Sequence, residues 1–155
     1  MNLGATISLG IMMSLFGARE PTLRVRLPKE QFKPLERITA EVENRGEAPI
    51  TFCLEIGQTS PAPNEDGVES TPSPFIVQAN SAGKWHTLMI GPDVGSSRHP
   101  VVLEADKSLP FPLRLRQEGK FRLLLSYWVG NRPELDCGHP PRGEKRLESR
   151  SFSVQ

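Results

Sequence analysis

Alternation of apolar and polar residues runs through most of this chain beyond residue 22, and a period of two leaves little but extended structure open to it. In "TLRVRLP", Leu23, Val25 and Leu27 share one side while Arg24 and Arg26 take the other. "RITAEVEN" repeats the pattern, with Ile38, Ala40 and Val42 inward and Arg37, Thr39, Glu41 and Glu43 outward. "ITFCLEIG" sets Ile50, Phe52, Leu54 and Ile56 on one face, and this places Cys53 with Thr51 and Glu55 on the other. The chain's 15 prolines and 13 glycines recur every few residues, which leaves little uninterrupted length for helices of ordinary size.

Further along, "PFIVQA" and "KWHTLMI" flank "NSAG", a hairpin signal in which the glycine takes a positive φ. "HPVVLEA" reads as a short strand. "LPFPLRLR" turns Phe111, Leu113 and Leu115 inward, and its prolines predict an edge position. "GKFRLLLSYWVG" is the longest apolar run and reads as a central strand. It carries Phe121, Leu123, Leu125, Tyr127 and Val129 on one face, and Leu124 and Trp128 on the other. "SFSVQ" closes the chain with Phe152 and Val154 inward. Residues 57–74 hold four prolines among acidic and amide side chains and read as a long exposed loop, as does the polar segment 131–148.

About eight or nine short strands separated by turns predict an all-β fold: an antiparallel, two-sheet, immunoglobulin-like sandwich, with a barrel as the alternative. The order of "LRVRLP", "RITAEVENRGEAPITFCLEIG", "PFIVQANSAGKWHTLMI", "VVLEADKSLPFPLRL" and "GKFRLLLSYW" resembles the immunoglobulin-like modules of bacterial exported proteins. It is also similar in layout to the Bacillus intracellular proteinase inhibitor family. Here the turn "LEADKS" lacks that family's Pro-Gly, and Phe121 stands where the last strand of the family has Tyr. The resemblance covers roughly residues 22–130 and is architectural throughout. It implies a fold and carries no functional residue across.

Residues 1–18, "MNLGATISLGIMMSLFGA", contain no charged side chain. The run is too short for a comfortable membrane span. It has the apolar core and small-residue end of a signal peptide, with Gly17 or Ala18 at the cut, although no Lys or Arg precedes it. The competing reading is a buried first helix of the mature protein. The expectation is therefore an extracytoplasmic domain, residues 21–155, periplasmic or secreted, with no membrane insertion of the mature chain. A formal net charge of +1 gives no drive toward nucleic acid. Charge is uneven along the chain: residues 49–106 carry two basic and seven acidic side chains, and residues 107–155 carry ten and five. Paired in the fold these halves solvate the surface; on opposite faces they form a dipole.

The densest cluster of chemistry-bearing side chains is "GPDVGSSRHP", residues 91–100, with Asp93, Ser96, Arg98 and His99. A serine hydrolase draws its triad from separate rigid elements and needs a strained elbow, and no "GxSxG" is present. A phosphate loop needs a lysine and a spacing that are lacking here. The stretch reads as a loop, with those four residues as recognition candidates and no catalytic residue assigned. Cys137 and His139 form the only close pair of metal-ligand type, and a zinc site wants a second pair, so no metal is expected. Glu65, Asp66 and Glu69 lack the regular spacing of a calcium loop. No cofactor is implied. Trp85 and Trp128 are further contact candidates, because Tyr127 and Trp128 point to opposite faces and one of them is left toward solvent.

Cys53 and Cys137 are the only cysteines. In an exported protein they are expected to join, and in a reducing compartment they stay free. Taken together, these features predict a non-enzymatic exported module that binds a protein or envelope component through loops 57–74, 91–100 and 131–148. Two alternatives are a proteinase inhibitor that presents loop 57–74 and a small hydrolase that uses loop 91–100. Intact-mass measurement on protein from its own host tests the compartment. The expected species starts after Gly17 or Ala18 and takes up no alkylating reagent when denatured without reduction. A full-length mass with two alkylated thiols overturns export and disulfide together.

Overall fold

A computed structural model of the protein describes residues 23–56, 68–70, 73–88 and 97–155. The uncharged stretch 1–18, residues 57–67 and 71–72 of the acidic loop, and Asp93 and Ser96 lie outside the described residues. So do many of the acidic side chains of the 49–106 segment.

The described residues form twelve strands: β1 (Leu23–Arg26), β2 (Gln31–Phe32), β3 (Ile38–Asn44), β4 (Ile50–Ile56), β5 (Val68–Ser70) and β6 (Phe75–Ser81) come first. They are followed by β7 (Lys84–Thr87), β8 (Ser97–Leu103), β9 (Lys107–Leu115), β10 (Gly119–Val129), β11 (Lys145–Glu148) and β12 (Phe152–Val154). A four-stranded sheet runs β1-β3-β9-β5. An eight-stranded sheet is assembled on β10, which pairs with β4, β6, β11 and β12; β8 adds to β4, β7 to β6 and β2 to β12. The fold is thus the expected all-β, two-sheet, immunoglobulin-like sandwich. One pairing departs from the antiparallel rule: β12 runs parallel to β2.

The long alternating runs form strands at the expected faces. Ile38, Ala40 and Val42 are fully buried, as are Phe52, Leu123 and Leu125. Phe111 of the small sheet enters between Phe52 and Phe75 of the large one, edge-on to both rings, at 5.8 and 5.9 Å. Edge-to-face contact suits the aromatic quadrupole and locks the two sheets laterally. On the outer side of the small sheet, Arg24 lies opposite Glu43, and Arg26 opposite Glu41. Arg24, joined by Arg26 and Arg45, surrounds the Glu43 carboxylate and holds it below the usual glutamate range.

The β6–β7 hairpin closes as expected through Ala82 and Gly83, both at positive φ (51° and 79°), the geometry whose twist matches the flanking strands. Asn80 Oδ1 accepts the Gly83 N–H at 3.2 Å and steadies the turn.

Four expectations need correction. Segment 57–74 is not all loop, because Val68–Ser70 pairs with β9; three residues are too few to show a period. Loop 91–100 ends early, since Ser97 to Pro100 belong to β8, so Arg98 and His99 are strand residues. Loop 131–148 ends at β11, which pairs Lys145 to Glu148 against Tyr127 to Leu124. β9 is an inner strand, flanked by both β3 and β5. However, β5 reaches only Leu113 to Leu115. Among the described strands, Pro110 and Pro112 pair with β3, opposite Glu41 and Thr39.

Two of the crossings between the sheets, β3 to β4 and β8 to β9, meet at Asn44. Its side chain is 2% exposed. Nδ2 donates to the carbonyls of Ala48, Leu103 and Glu104 at 3.0, 3.1 and 3.2 Å, and Oδ1 accepts the Gly46 N–H at 3.0 Å. Removing a buried partner leaves these backbone groups unsatisfied. Asn44→Ala is therefore expected to lower unfolding free energy by about 2–3 kcal/mol. Denaturant melts should show a lower midpoint at unchanged slope. Asn44→Asp should not rescue it, because a carboxylate lacks the Nδ2 donors.

Candidate functional site

The large sheet forks. Tyr127 pairs with Phe52 of β4 and with Lys145 of β11, so these two strands lie on opposite edges of β10. Leu124 and Leu125 pair with both β6 and β11, so β6 shares its edge with β4. Along that edge β6 accompanies β10 from Lys120 to Leu125, and β4 takes over from Tyr127. Beyond Phe52, β4 leaves β10 and keeps β8 as its partner to Ile56. The two edge partners diverge, and the outer face of the sheet opens between them.

Alternation decides what lines the opening. Phe52, Phe75, Phe121, Leu123 and Leu125 face the core, so Cys53, Ile76, Leu124, Ser126 and Trp128 face outward. Pro100 lies opposite Cys53, and Arg98 two residues away projects to the same side. The segment 130–144 folds back over this face. Thr51 Oγ1 pins its start, donating to the Gly130 carbonyl at 2.8 Å and accepting the Arg132 N–H at 3.0 Å. Cys137 then bonds to Cys53, with Cα atoms 5.8 Å apart. Trp128 Nε1 donates to the Pro141 carbonyl at 3.2 Å.

The result is a second, smaller core on the outside of the sheet, made of Trp128, Leu135 and Cys137 with Cys53 packed against them. A bond that spans 84 residues of sequence restricts the unfolded chain, and the loop-entropy argument gives about 4–5 kcal/mol.

Beside this cluster runs an open groove of about 250 Å³. Its floor is apolar: the cystine, Trp128, Pro140 and Ile76, the last 39% exposed. Its rim is polar, with Arg98 on one side and Ser126, Glu144 and Arg146 on the other. The Glu144 carboxylate accepts from Ser126 Oγ first and from Arg146 Nε, which hold it below the usual glutamate range. The Asp136 carboxylate is lowered likewise by the backbone N–H groups of His139 and Gly138, which it caps. The volume lies below the usual range for sites that enclose a drug-sized ligand.

Of the residues singled out from sequence, Cys53, Cys137, Trp128 and Arg98 meet at this groove. His99 is exposed one position along β8, on the alternate side of the strand. Trp85 is elsewhere, half-buried on β7 under the Arg122 guanidinium, which lies 4.5 Å from its ring centroid. Gln78 and Glu148 hold that guanidinium in turn. The expectation of Trp128 as an exposed contact is overturned. It points outward from the sheet as its position dictates, but it is only 3% exposed because the 130–144 segment covers it. Ile76, Ser126, Glu144 and Arg146 were not anticipated. Ile76 was findable, since an isoleucine between inward Phe75 and Val77 must stand on the outer face.

Fold and site together define an immunoglobulin-like sandwich with a groove built over an external disulfide. No protein-family model matches the chain, and neither does any curated protein. Among solved structures, it is similar to the ASH / PapD-like domain of human CEP192 (PapD-like domain 7). That likeness has 13% identity and a TM-score of 0.33, over 100% of this chain and 96% of that one. At that score it bears on neither the fold nor the function.

The lowered Glu144 value gives the rim of the groove a pH response. A depressed native value means the contribution to stability is present above the unfolded value and lost as pH falls through the native one. In a Trp85→Phe background, Trp128 emission should stay constant down to the ordinary glutamate value of 4.5 and shift to the red below it. Glu144→Gln should flatten that transition.

Proposed function

We propose that this protein is a non-enzymatic, extracytoplasmic binding module that takes a segment of another polypeptide, soluble or envelope-bound, into the groove between β4 and β6. The observation that carries the reading is the exposed Ile76 beside the cystine and Trp128, an apolar floor inside a polar rim that resembles the make-up of protein interfaces. The floor is held by a covalent bond and by the buried Trp128, so little ordering remains to be lost on binding. The cystine supports an oxidising compartment, as does the uncharged stretch 1–18. No helix among the described residues is long and apolar enough to cross a membrane. The layout shared with bacterial exported immunoglobulin-like modules supports the same reading.

Parallel affinity capture from envelope extract, using wild type and Ile76→Arg, tests the proposal. Ile76 projects from the sheet, so the variant should fold normally. A polypeptide held by the wild type should bind the variant at least about tenfold more weakly in calorimetry. Equal affinity for both proteins removes the groove from the recognition surface.

A further inference from the structure

We propose that the Cys53–Cys137 bond is a redox-operated strap. Breaking it frees the segment after Arg132 from Trp128 and dismantles the groove, while the sandwich remains folded. This goes beyond the binding reading and stands whether or not the groove holds a polypeptide.

Three observations carry it. First, the described residues form two separate apolar clusters. The one between the sheets contains no cysteine, and both cysteines belong to the external one. Second, within residues 131–144 only Leu135 and Cys137 are buried, so one of the two side chains that seat this segment is a partner in the bond. Its other ties are single polar contacts: Pro141 to Trp128 and Glu144 to Ser126. The Thr51 contacts hold Gly130 and Arg132 and end there, which places the hinge just beyond. Third, both half-cystines line the open groove, and Cys53 is only partly buried there, which makes its side the approach for an attacking thiolate.

The chemistry needs a dithiol reductant. One of its thiolates attacks a sulfur of the bond, forming a mixed disulfide and releasing the other cysteine as a thiolate. The reductant's second thiol then displaces the remaining sulfur. The reductant ends as an internal disulfide, and Cys53 and Cys137 end as thiols, having gained two electrons and two protons between them. The segment, with Leu135 as its remaining apolar anchor, lifts away and exposes Trp128.

Dithiothreitol and trypsin test this on the whole protein. Arg142 precedes Gly143 in the strapped segment and is a cleavable bond once the segment can extend into the protease. After reduction under native conditions, alkylation should mark two thiols, and the far-UV circular dichroism of the sheets should persist. Cleavage after Arg142 should accelerate at least about tenfold, as expected for a local opening. In a Trp85→Phe background, acrylamide should quench Trp128 more strongly. A Cys53→Ser/Cys137→Ser double variant should show the same cleavage and quenching without reductant. Three results overturn the proposal: failure of the bond to reduce in the folded protein, unchanged cleavage and quenching after complete reduction, or loss of the sheet signal with cleavage throughout the chain.

Discussion

The fold depends on β10 being buried on both faces. Phe121, Leu123 and Leu125 look into the sandwich at 1% exposure or less, and Leu124 and Trp128 look outward at 9% and 3%. Here a slip of one residue would drive Arg122 and Ser126 into the core and expose the three core side chains. Register is therefore tightly specified at the strand to which β4, β6, β11 and β12 are attached. The run "FRLLLSYW" serves two cores at once, and the second core requires something to cover Trp128 from outside.

That cover explains where the disulfide sits. In antibody-type domains the disulfide joins the two sheets inside the sandwich and packs on a tryptophan. Tryptophan and cystine also pack together here, but on the outer side of one sheet, and the second cysteine comes from a loop. Sheet-to-sheet cohesion falls instead to side-chain packing, with Phe111 wedged between Phe52 and Phe75, and to Asn44 at two of the crossings. The covalent bond is thus free to serve the surface. It holds down a segment whose own apolar content, Leu135 and Cys137, is too small to seat it by burial alone.

Residue by residue, the long alternating runs were legible because side-chain direction in a strand follows position. Ile38, Val42, Phe111, Leu123 and Phe152 are buried where the period put them. The same logic placed Cys53 outside the core. What the period could not show was pairing between strands remote in sequence. β2, β5 and β11 have two, three and four residues, and they exist through partners in β12, β9 and β10 rather than through any pattern of their own. The fork between β4 and β6 is equally invisible, since it arises where one strand edge changes partner. Trp128 is the instructive error. Its direction was readable, yet its burial depends on a polar, proline-bearing segment that carries no strand signal and is brought over it by a bond to a residue 84 positions earlier.

Because Trp128 is covered, the large aromatic near the groove does not project toward a partner. The exposed apolar side chain there is Ile76, which lies at the floor. Interfaces draw much of their energy from aromatic or arginine anchors inserted into well-packed pockets. On the proposed binding reading, the domain supplies the pocket and the partner supplies the projecting anchor. A groove of about 250 Å³ holds one or two such side chains, with Arg98, Ser126, Glu144 and Arg146 placed to meet polar groups on either side. The sandwich fold alone does not specify any of this, since function resides in sites grafted onto a fold. The forked edge and the strapped segment make this face of an otherwise general sandwich distinct.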